Sequence, residues 1–233
     1  MYKNKSILAI IPARGGSKGI PKKNLQKVNG IPLVCLAGLC AKQISQIDRV
    51  IISTDCNEIS SVSREYGLDT PFKRPKKISD NSTKDIDVLI HGLVKTEKID
   101  NKKYDVVVFL QPTSPLRTPN QVLNCIKLLI KNNYDSVWSV SETPDKFHPF
   151  KQLKINKQGT LKYYLSEGNK MLPRQQLKQS YHVNGIAYVL TRECILDQKT
   201  RLGSKTGAFL IKEKYVNIDT DFDLIEVRNF LEK

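Results

Sequence analysis

Short, uninterrupted apolar runs alternate with amphipathic helical stretches along most of the chain, and this alternation limits the possible folds more than any other feature. Ile7–Pro12, Arg49–Ser53, Asp105–Leu110 and Asp135–Val140 read as strands. Leu33–Gln43, Glu58–Tyr66, Asp85–Thr96 and Gln121–Lys131 read as helices between them. A strand such as Val106–Leu110, apolar at every position, has to be covered on both faces. Strand–helix alternation of this kind predicts an α/β fold, a mostly parallel twisted sheet between two helical layers. Local signals mark element ends. Thr118-Pro119 suits a helix start, Asp55 or Asn57 is placed to cap the helix from Glu58, and Gly67 ends it.

The rhythm breaks between about Ser141 and Gln179, where the chain is polar and holds only short alternating pieces, Lys154–Ile155 and Leu161–Leu165. This reads as an inserted hairpin or small subdomain. Regular structure resumes at Gly185–Leu190, followed by expected strands at Phe209–Ile211 and Tyr215–Ile218 and a closing helix at Asp221–Glu232. With no repeat and no low-complexity linker, residues 1–233 read as one domain with an excursion at about 141–180.

Ligands of a parallel sheet sit beyond the carboxyl ends of its strands. Ile11–Asn24, Thr54-Asp55 and Gln111–Arg117 each follow a strand and are expected to converge on one rim. In the first of these, Gly15, Gly16 and Gly19 let the backbone approach a ligand and turn N–H groups toward an anion. Arg14, Lys18 and Lys23 add cations that suit phosphate and the charge that develops on departing pyrophosphate. The Walker pattern GxxxxGK[ST] and the dinucleotide pattern GxGxxG are both absent. By residue chemistry alone, the loop is a polyanion site at a strand end.

The charge balance agrees but is less specific. The chain carries 38 Lys and Arg against 23 Asp and Glu, a formal net charge of +15. That favours polyanionic partners, yet the lysines are spread along the chain without a block of five or more basic residues. Nucleic acid is therefore not expected as a partner. No apolar run approaches the roughly 18 residues needed to cross a bilayer and no signal peptide is read, so no membrane partner is expected and the cytoplasm is the expected compartment. Five cysteines without paired spacing read as small apolar core residues. His91 reads as a structural histidine and Trp138 as core.

Pro12-Ala13-Arg14-Gly15-Gly16-Ser17-Lys18-Gly19, followed by Lys23-Asn24, resembles the first motif of the acylneuraminate (CMP-sialic acid type) cytidylyltransferases. Four more segments agree in order: Ile52-Ser53-Thr54-Asp55; Leu110-Gln111-Pro112-Thr113-Ser114-Pro115-Leu116-Arg117; Pro173-Arg174-Gln175-Gln176 with Asn184-Gly185; and Ile218-Asp219-Thr220-Asp221-Phe222-Asp223. The resemblance spans essentially the whole chain. It implies a three-layer nucleotidyltransferase fold and a homodimer built partly by the excursion. It also implies transfer of CMP from CTP to the anomeric hydroxyl of a nine-carbon 2-keto sugar acid, with release of pyrophosphate.

The resemblance further implies roles for single residues. Arg14, Lys18 and Lys23 would act on the phosphates, while Ala13, Arg14, Gly15, Gly16, Ser17, Asn24, Arg74 and Thr83 would bind the nucleotide. Gln111, Lys151, Arg174 and His182 would meet the sugar, and Arg117 would brace the loop after Gln111. Asp219, supported by Asp221 or Asp223, would hold Mg²⁺ or Mn²⁺, and with no dedicated base in view the metal would activate the attacking hydroxyl. Simpler roles stand beside these: a surface arginine for Arg74, a surface lysine for Lys151, backbone capping for Gln111, helix capping for Asp221 and Asp223, and a local hydrogen bond for His182. Sialic acid enzymes often carry arginine where this chain has His182, and aspartate where it has Asn217. The sugar is thus open among neuraminic, legionaminic and pseudaminic types, with His182 pointing toward a diacetamido sugar such as legionaminic acid. The alternatives are a 3-deoxy-octulosonate cytidylyltransferase and a non-catalytic nucleotide-binding protein.

Overall fold

The computed structural model describes residues 2–17, 19–170 and 177–231. Its centre is a six-stranded sheet in the order β10-β6-β9-β5-β1-β4. The strands are β1 (Ile7–Pro12), β4 (Arg49–Ser53), β5 (Val106–Phe109), β6 (Ser136–Glu142), β9 (Tyr181–Thr191) and β10 (Thr206–Leu210). β1 pairs in parallel with β4 and β5, and β10 with β6. Only β9 runs against its neighbours β5 and β6.

Helices α1 (Leu33–Lys42), α2 (Asn57–Glu65), α3 (Asp85–Asp100), α4 (Pro119–Asn132), α5 (Arg192–Leu196) and α6 (Asp221–Leu231) cover the sheet. Successive β1 side chains point to opposite faces, as a strand requires. Ile7, Ala9 and Ile11 pack with Val34 and Ala41 of α1, Ile59 of α2 and Val122 and Ile126 of α4. Leu8 and Ile10 pack with Leu89 and Leu93 of α3 and Ile195 of α5. Burial of both sets is why the strand carries no polar alternation. A third apolar cluster joins Ile20, Val28, Leu33, Ile218, Leu224 and Val227. It fastens the loop after β1 to the segment that enters α6.

Several local expectations hold. Thr118 caps α4 in a reciprocal box, accepting from Gln121 N at 3.3 Å while its own N–H donates to Gln121 Oε1 at 3.0 Å, with Pro119 as the first helical residue. Others do not. Neither Asp55 nor Asn57 caps α2: Cys56 occupies that position, and Asp55 accepts instead from Gly15 N at 3.0 Å. Tyr215–Ile218 is not a strand: it joins no sheet, and Ile218 N donates to Thr113 O at 2.8 Å. β10 begins at Thr206, three residues before the expected strand, because the register with β6 runs Thr206 to Ser136 through Leu210 to Val140. α3 continues to Asp100 and stops at Asn101, which takes a left-handed conformation.

β2 (Lys27–Val28) and β3 (Ile31–Pro32) form a hairpin not foreseen from the sequence. Its turn residues Asn29 and Gly30 both have positive φ, 48° and 76°, the tight mirror-image turn that Asn-Gly favours. The excursion leaves the sheet after β6 and returns at β9. It holds a separate two-stranded piece, β7 (Leu153–Ile155) with β8 (Leu161–Tyr163), and short 3-10 turns. No helix among the described residues is long and apolar enough to cross a membrane.

Candidate active site

A cavity of about 520 Å³ opens beyond the carboxyl ends of β1 and β5. Arg14, Ser17, Gly19, Lys23 and Asn24 reach it from the loop after β1, and Gln111, Pro112 and Thr113 from the loop after β5. Arg74, Ser79, Asp80, Asn81, Thr83 and Asp85 come from the stretch leading into α3, and Asn217 and Asp219 from the segment before α6. Strand-end segments therefore converge as parallel topology demands. Asp55, after β4, stays behind the wall, where its carboxylate holds Gly15 N–H and faces Arg74 Nη2 at 3.9 Å.

The cations are held by short tethers. Arg14 Nη1 donates to Asp80 O at 2.7 Å. Lys23 Nζ donates to Ile218 O at 2.9 Å and pairs with Asp219 Oδ1 at 3.1 Å. Asn24 Nδ2 donates to Arg14 O at 2.9 Å, so its amide orders the loop from within. Arg74 is only 3 % exposed, which removes the surface reading of this residue. Its Nε donates to Ser79 Oγ at 3.1 Å. Burial lowers the Arg74 pKa below the usual guanidinium value, against an upward pull from Asp55 and Asp85, and Arg14 nearby adds to the lowering.

Each of the three carboxylates in this wall is engaged. Asp80 accepts from Ser82 N, Ser82 Oγ and Thr83 Oγ1 at 2.8–2.9 Å. Asp85 pairs with Arg201 Nη1 at 2.8 Å, and Asp219 with Lys23. The wall therefore presents cationic groups and donors, with two of its carboxylates paired to cations and Asp80 tied up by neutral donors, which suits a polyanion. Gly19 shows how tightly the loop is seated: a Cβ there would lie 2.8 Å from Asp219 O. The loop after β5 is fixed by Arg117, almost fully buried, whose guanidinium donates to the backbone oxygens of Gln111 (2.8 Å), Gly185 (3.2 Å) and Ile186. Burial pushes its pKa down to about 10.

Of the expected site residues, Arg14, Ser17, Lys23, Asn24, Arg74, Thr83, Gln111 and Asp219 line the cavity together. Ala13 does not: its methyl is in the core and its N–H donates to Ser53 O at 2.9 Å. Gly15 and Gly16 face a smaller cavity behind the loop, with Cys56 and Glu58. Lys151 is exposed in the excursion, away from the cavity wall. His182 is also outside it, with Nδ1 against Thr143 Oγ1 at 3.1 Å and Nε2 bonded to the Tyr215 hydroxyl, so its ring satisfies a local hydrogen-bond pair. Asp221 is exposed in the first turn of α6, outside the wall, and Asp223 caps that turn by accepting from Asp219 N and Thr220 N at 2.9 and 2.7 Å. Lys18 and Arg174 lie outside the described residues. The sequence reading missed Asp80, Asp85 and Thr113 as wall residues. Ser-Asp-Asn-Ser is a turn signal, and Asp85 opens a helix; both read as local structure until the fold places them at the rim.

A family model for cytidylyltransferases matches residues 8–225. The chain is 32% identical over 220 residues to the CMP-N,N'-diacetyllegionaminic acid synthase of Legionella pneumophila, a match that covers 93% of this chain and 92% of that protein. It is 30% identical over 227 residues to N-acylneuraminate cytidylyltransferase A of Danio rerio, covering 95% of this chain and 50% of that longer protein. Among solved structures, CMP:2-keto-3-deoxy-manno-octonic acid synthetase complexed with CTP superposes with a TM-score of 0.74 over 97% of this chain and 98% of that one, at 19% identity. That likeness establishes the three-layer nucleotidyltransferase fold.

Proposed function

The chain belongs to the cytidylyltransferase family, and from that premise we propose that it transfers CMP from CTP to the anomeric hydroxyl of a nine-carbon 2-keto sugar acid, releasing pyrophosphate. The observation that carries this reading is the single cavity in which Arg14, Lys23 and Arg74 meet Gln111 and Asp219. The cationic side suits a triphosphate, and Gln111 suits a polar sugar. The full-length likeness to a CMP-N,N'-diacetyllegionaminic acid synthase makes a diacetamido sugar of the legionaminic type the first candidate. The His182 ring nitrogens bond Thr143 Oγ1 and the Tyr215 hydroxyl, so the legionaminic candidate rests on the likeness and not on this residue.

The chemistry needs alignment and charge stabilisation more than covalent help. Arg14 and Lys23 would hold the phosphates so that the sugar oxygen meets the α-phosphorus in line with departing pyrophosphate. Lys18, on the same loop, would share that load. Asp219 would hold a magnesium or manganese ion together with phosphate oxygens, since such an ion commonly takes one or two carboxylates and completes its shell from substrate and water. Bound there, such an ion would supply positive charge at the phosphates and would make the attacking hydroxyl more acidic. Asp219 reaches the wall with an exposed carboxylate, which fits that use. Asp223 is taken by its cap and Asp221 stands off the wall, so Asp219 is the carboxylate to test first.

We propose further that the chain forms a homodimer through the excursion, where Ile155 (71 %), Tyr164 (64 %), Phe147 and Leu161 are each exposed. Burying these side chains against a second copy would remove apolar surface from water. The test of function is pyrophosphate release from CTP and Mg²⁺ with neuraminic, diacetyllegionaminic, pseudaminic and 3-deoxy-octulosonic acids. Turnover on a nine-carbon acid, abolished by chelation of the metal, is the expected result. Turnover on the eight-carbon acid alone, or CTP binding without pyrophosphate from any acceptor, would overturn the reading.

A further inference from the structure

Gln111 is pinned at both ends. Its backbone oxygen accepts from Arg117 Nη2 at 2.8 Å, and its Nε2 donates across the cavity wall to Asp85 Oδ2 at 3.4 Å. The same carboxylate oxygen takes Arg201 Nη1 at 2.8 Å. Arg201 is itself fixed on the aromatic pair Trp138 and Tyr188, with its guanidinium carbon 5.2 and 5.0 Å from their ring centres. Its backbone oxygen accepts from Trp138 Nε1 at 2.8 Å. A relay thus runs from two rings on the inner strands β6 and β9, through an ion pair, to one amide in the cavity.

We propose that Asp85 and Arg201 are positioning residues that set the orientation of the Gln111 carboxamide, so that Gln111 offers its carbonyl oxygen to a hydroxyl or amide N–H of the sugar. An ionised carboxylate only accepts hydrogen bonds, so the amide nitrogen has to face Asp85 and Oε1 is turned away from it. The bond is long, so the direction of the amide depends on the Asp85 carboxylate being held in place. Arg201 holds it there. It also compensates a carboxylate that would otherwise oppose an acidic ligand in the cavity. The Gln111 carbonyl oxygen, so turned, accepts a donor from the sugar and not its carboxylate. The proposal rests on Gln111 meeting the sugar, as in the function proposed above.

The orientation is testable without substrate. The side-chain amide cross-peak of Gln111 in a ¹⁵N spectrum of the full chain, identified by its loss in Gln111→Glu, should move in Arg201→Gln and in Asp85→Asn. It should stay in place in Lys131→Gln, an exposed control on α4. With the sugar that turns over, Arg201→Gln should raise the KM for the sugar by about tenfold or more, the scale of a misplaced contact, while the KM for CTP stays unchanged. Arg201→Lys, which keeps the cation, should recover most of it. An amide peak unmoved in both variants overturns the relay whether or not any sugar is a substrate. A shift in the KM for CTP equal to that for the sugar, or none in either, overturns the specificity role. If Arg201→Gln fails to fold, Arg201→Lys and Asp85→Asn decide by the same amide peak. Failure of wild-type turnover would count against the proposed function and leave the spectroscopic result standing.

Discussion

Arg74 and Arg117 are both buried, and they use their donors differently. Arg117 gives its guanidinium to three backbone oxygens and pairs with no carboxylate among the described residues, so it acts as a brace. Replacing it with methionine leaves buried carbonyls short of donors, and Arg117→Met should lower stability by about 3 kcal/mol in urea unfolding. Arg74 lines the cavity and faces Asp55 at 3.9 Å, so its replacement should register on the nucleotide first. Lys23 pairs with Asp219 and in the proposed reaction would meet the phosphates. Lys23→Ala should cut kcat by about 10²–10³-fold, the usual effect of removing one charge-stabilising donor, with the thermal midpoint little changed. A variant with wild-type kcat would remove Lys23 from the chemistry.

At the scale of elements, two junctions hold the rim in place. The capping box of Thr118 starts α4 directly after the loop that carries Gln111, and Thr118→Ala should cost about 1 kcal/mol, measured by denaturant unfolding. Gly185 has a φ of 74° and a Cβ there would sit 3.0 Å from Ser114 Oγ, which itself donates to Gly185 O at 2.9 Å. A larger residue would loosen β9 from the loop after β5. At the other end of the sheet, Asp105 ties the starts of β5 and β1 by accepting from Ser6 N at 2.7 Å and Ser6 Oγ at 2.8 Å. Burial alone would raise the Asp105 pKa, but the Ser6 bonds and Lys5 outweigh it and hold the carboxyl below its ordinary value. A depressed folded pKa stabilises above the unfolded pKa and loses that contribution as pH falls through the folded one. Asp105→Asn should therefore lower Tm at pH 7, with the gap to wild type closing below about pH 4.

At the scale of the whole molecule, the excursion and the charge set behaviour that no single site explains. Ile155 and Leu161 face solvent on the two strands of the separate hairpin. In the proposed homodimer, Ile155→Glu together with Leu161→Glu should yield a monomer in sedimentation, because two buried charges oppose association. A dimer that survives both changes would place the interface elsewhere. The net charge of +15 is spread over the chain, while two carboxylates of the cavity wall, Asp85 and Asp219, are paired with cations. Higher salt should weaken CTP binding mainly through this general field.

The sequence by itself determined the sheet, its coverage and its ligand rim. Apolar runs with no polar break in β1 and β5 require helices on both faces, and parallel strands put their following loops on one edge. It also singled out Arg14 and Lys23, because a glycine and cation string keeps its meaning locally, while Gln111 and Asp219 stood out through the resemblance to the cytidylyltransferase motifs. The tertiary structure alone decided the rest. Asp85 and Asp80 read as a helix start and a turn until folding brought them to the wall, and Asp55 left its expected cap to hold Gly15. His182 looked available for a sugar until Thr143 and Tyr215, far from it along the chain, took both ring nitrogens. A side chain's partners depend on distances that chain order does not encode, so residue type was legible early and residue role only after packing.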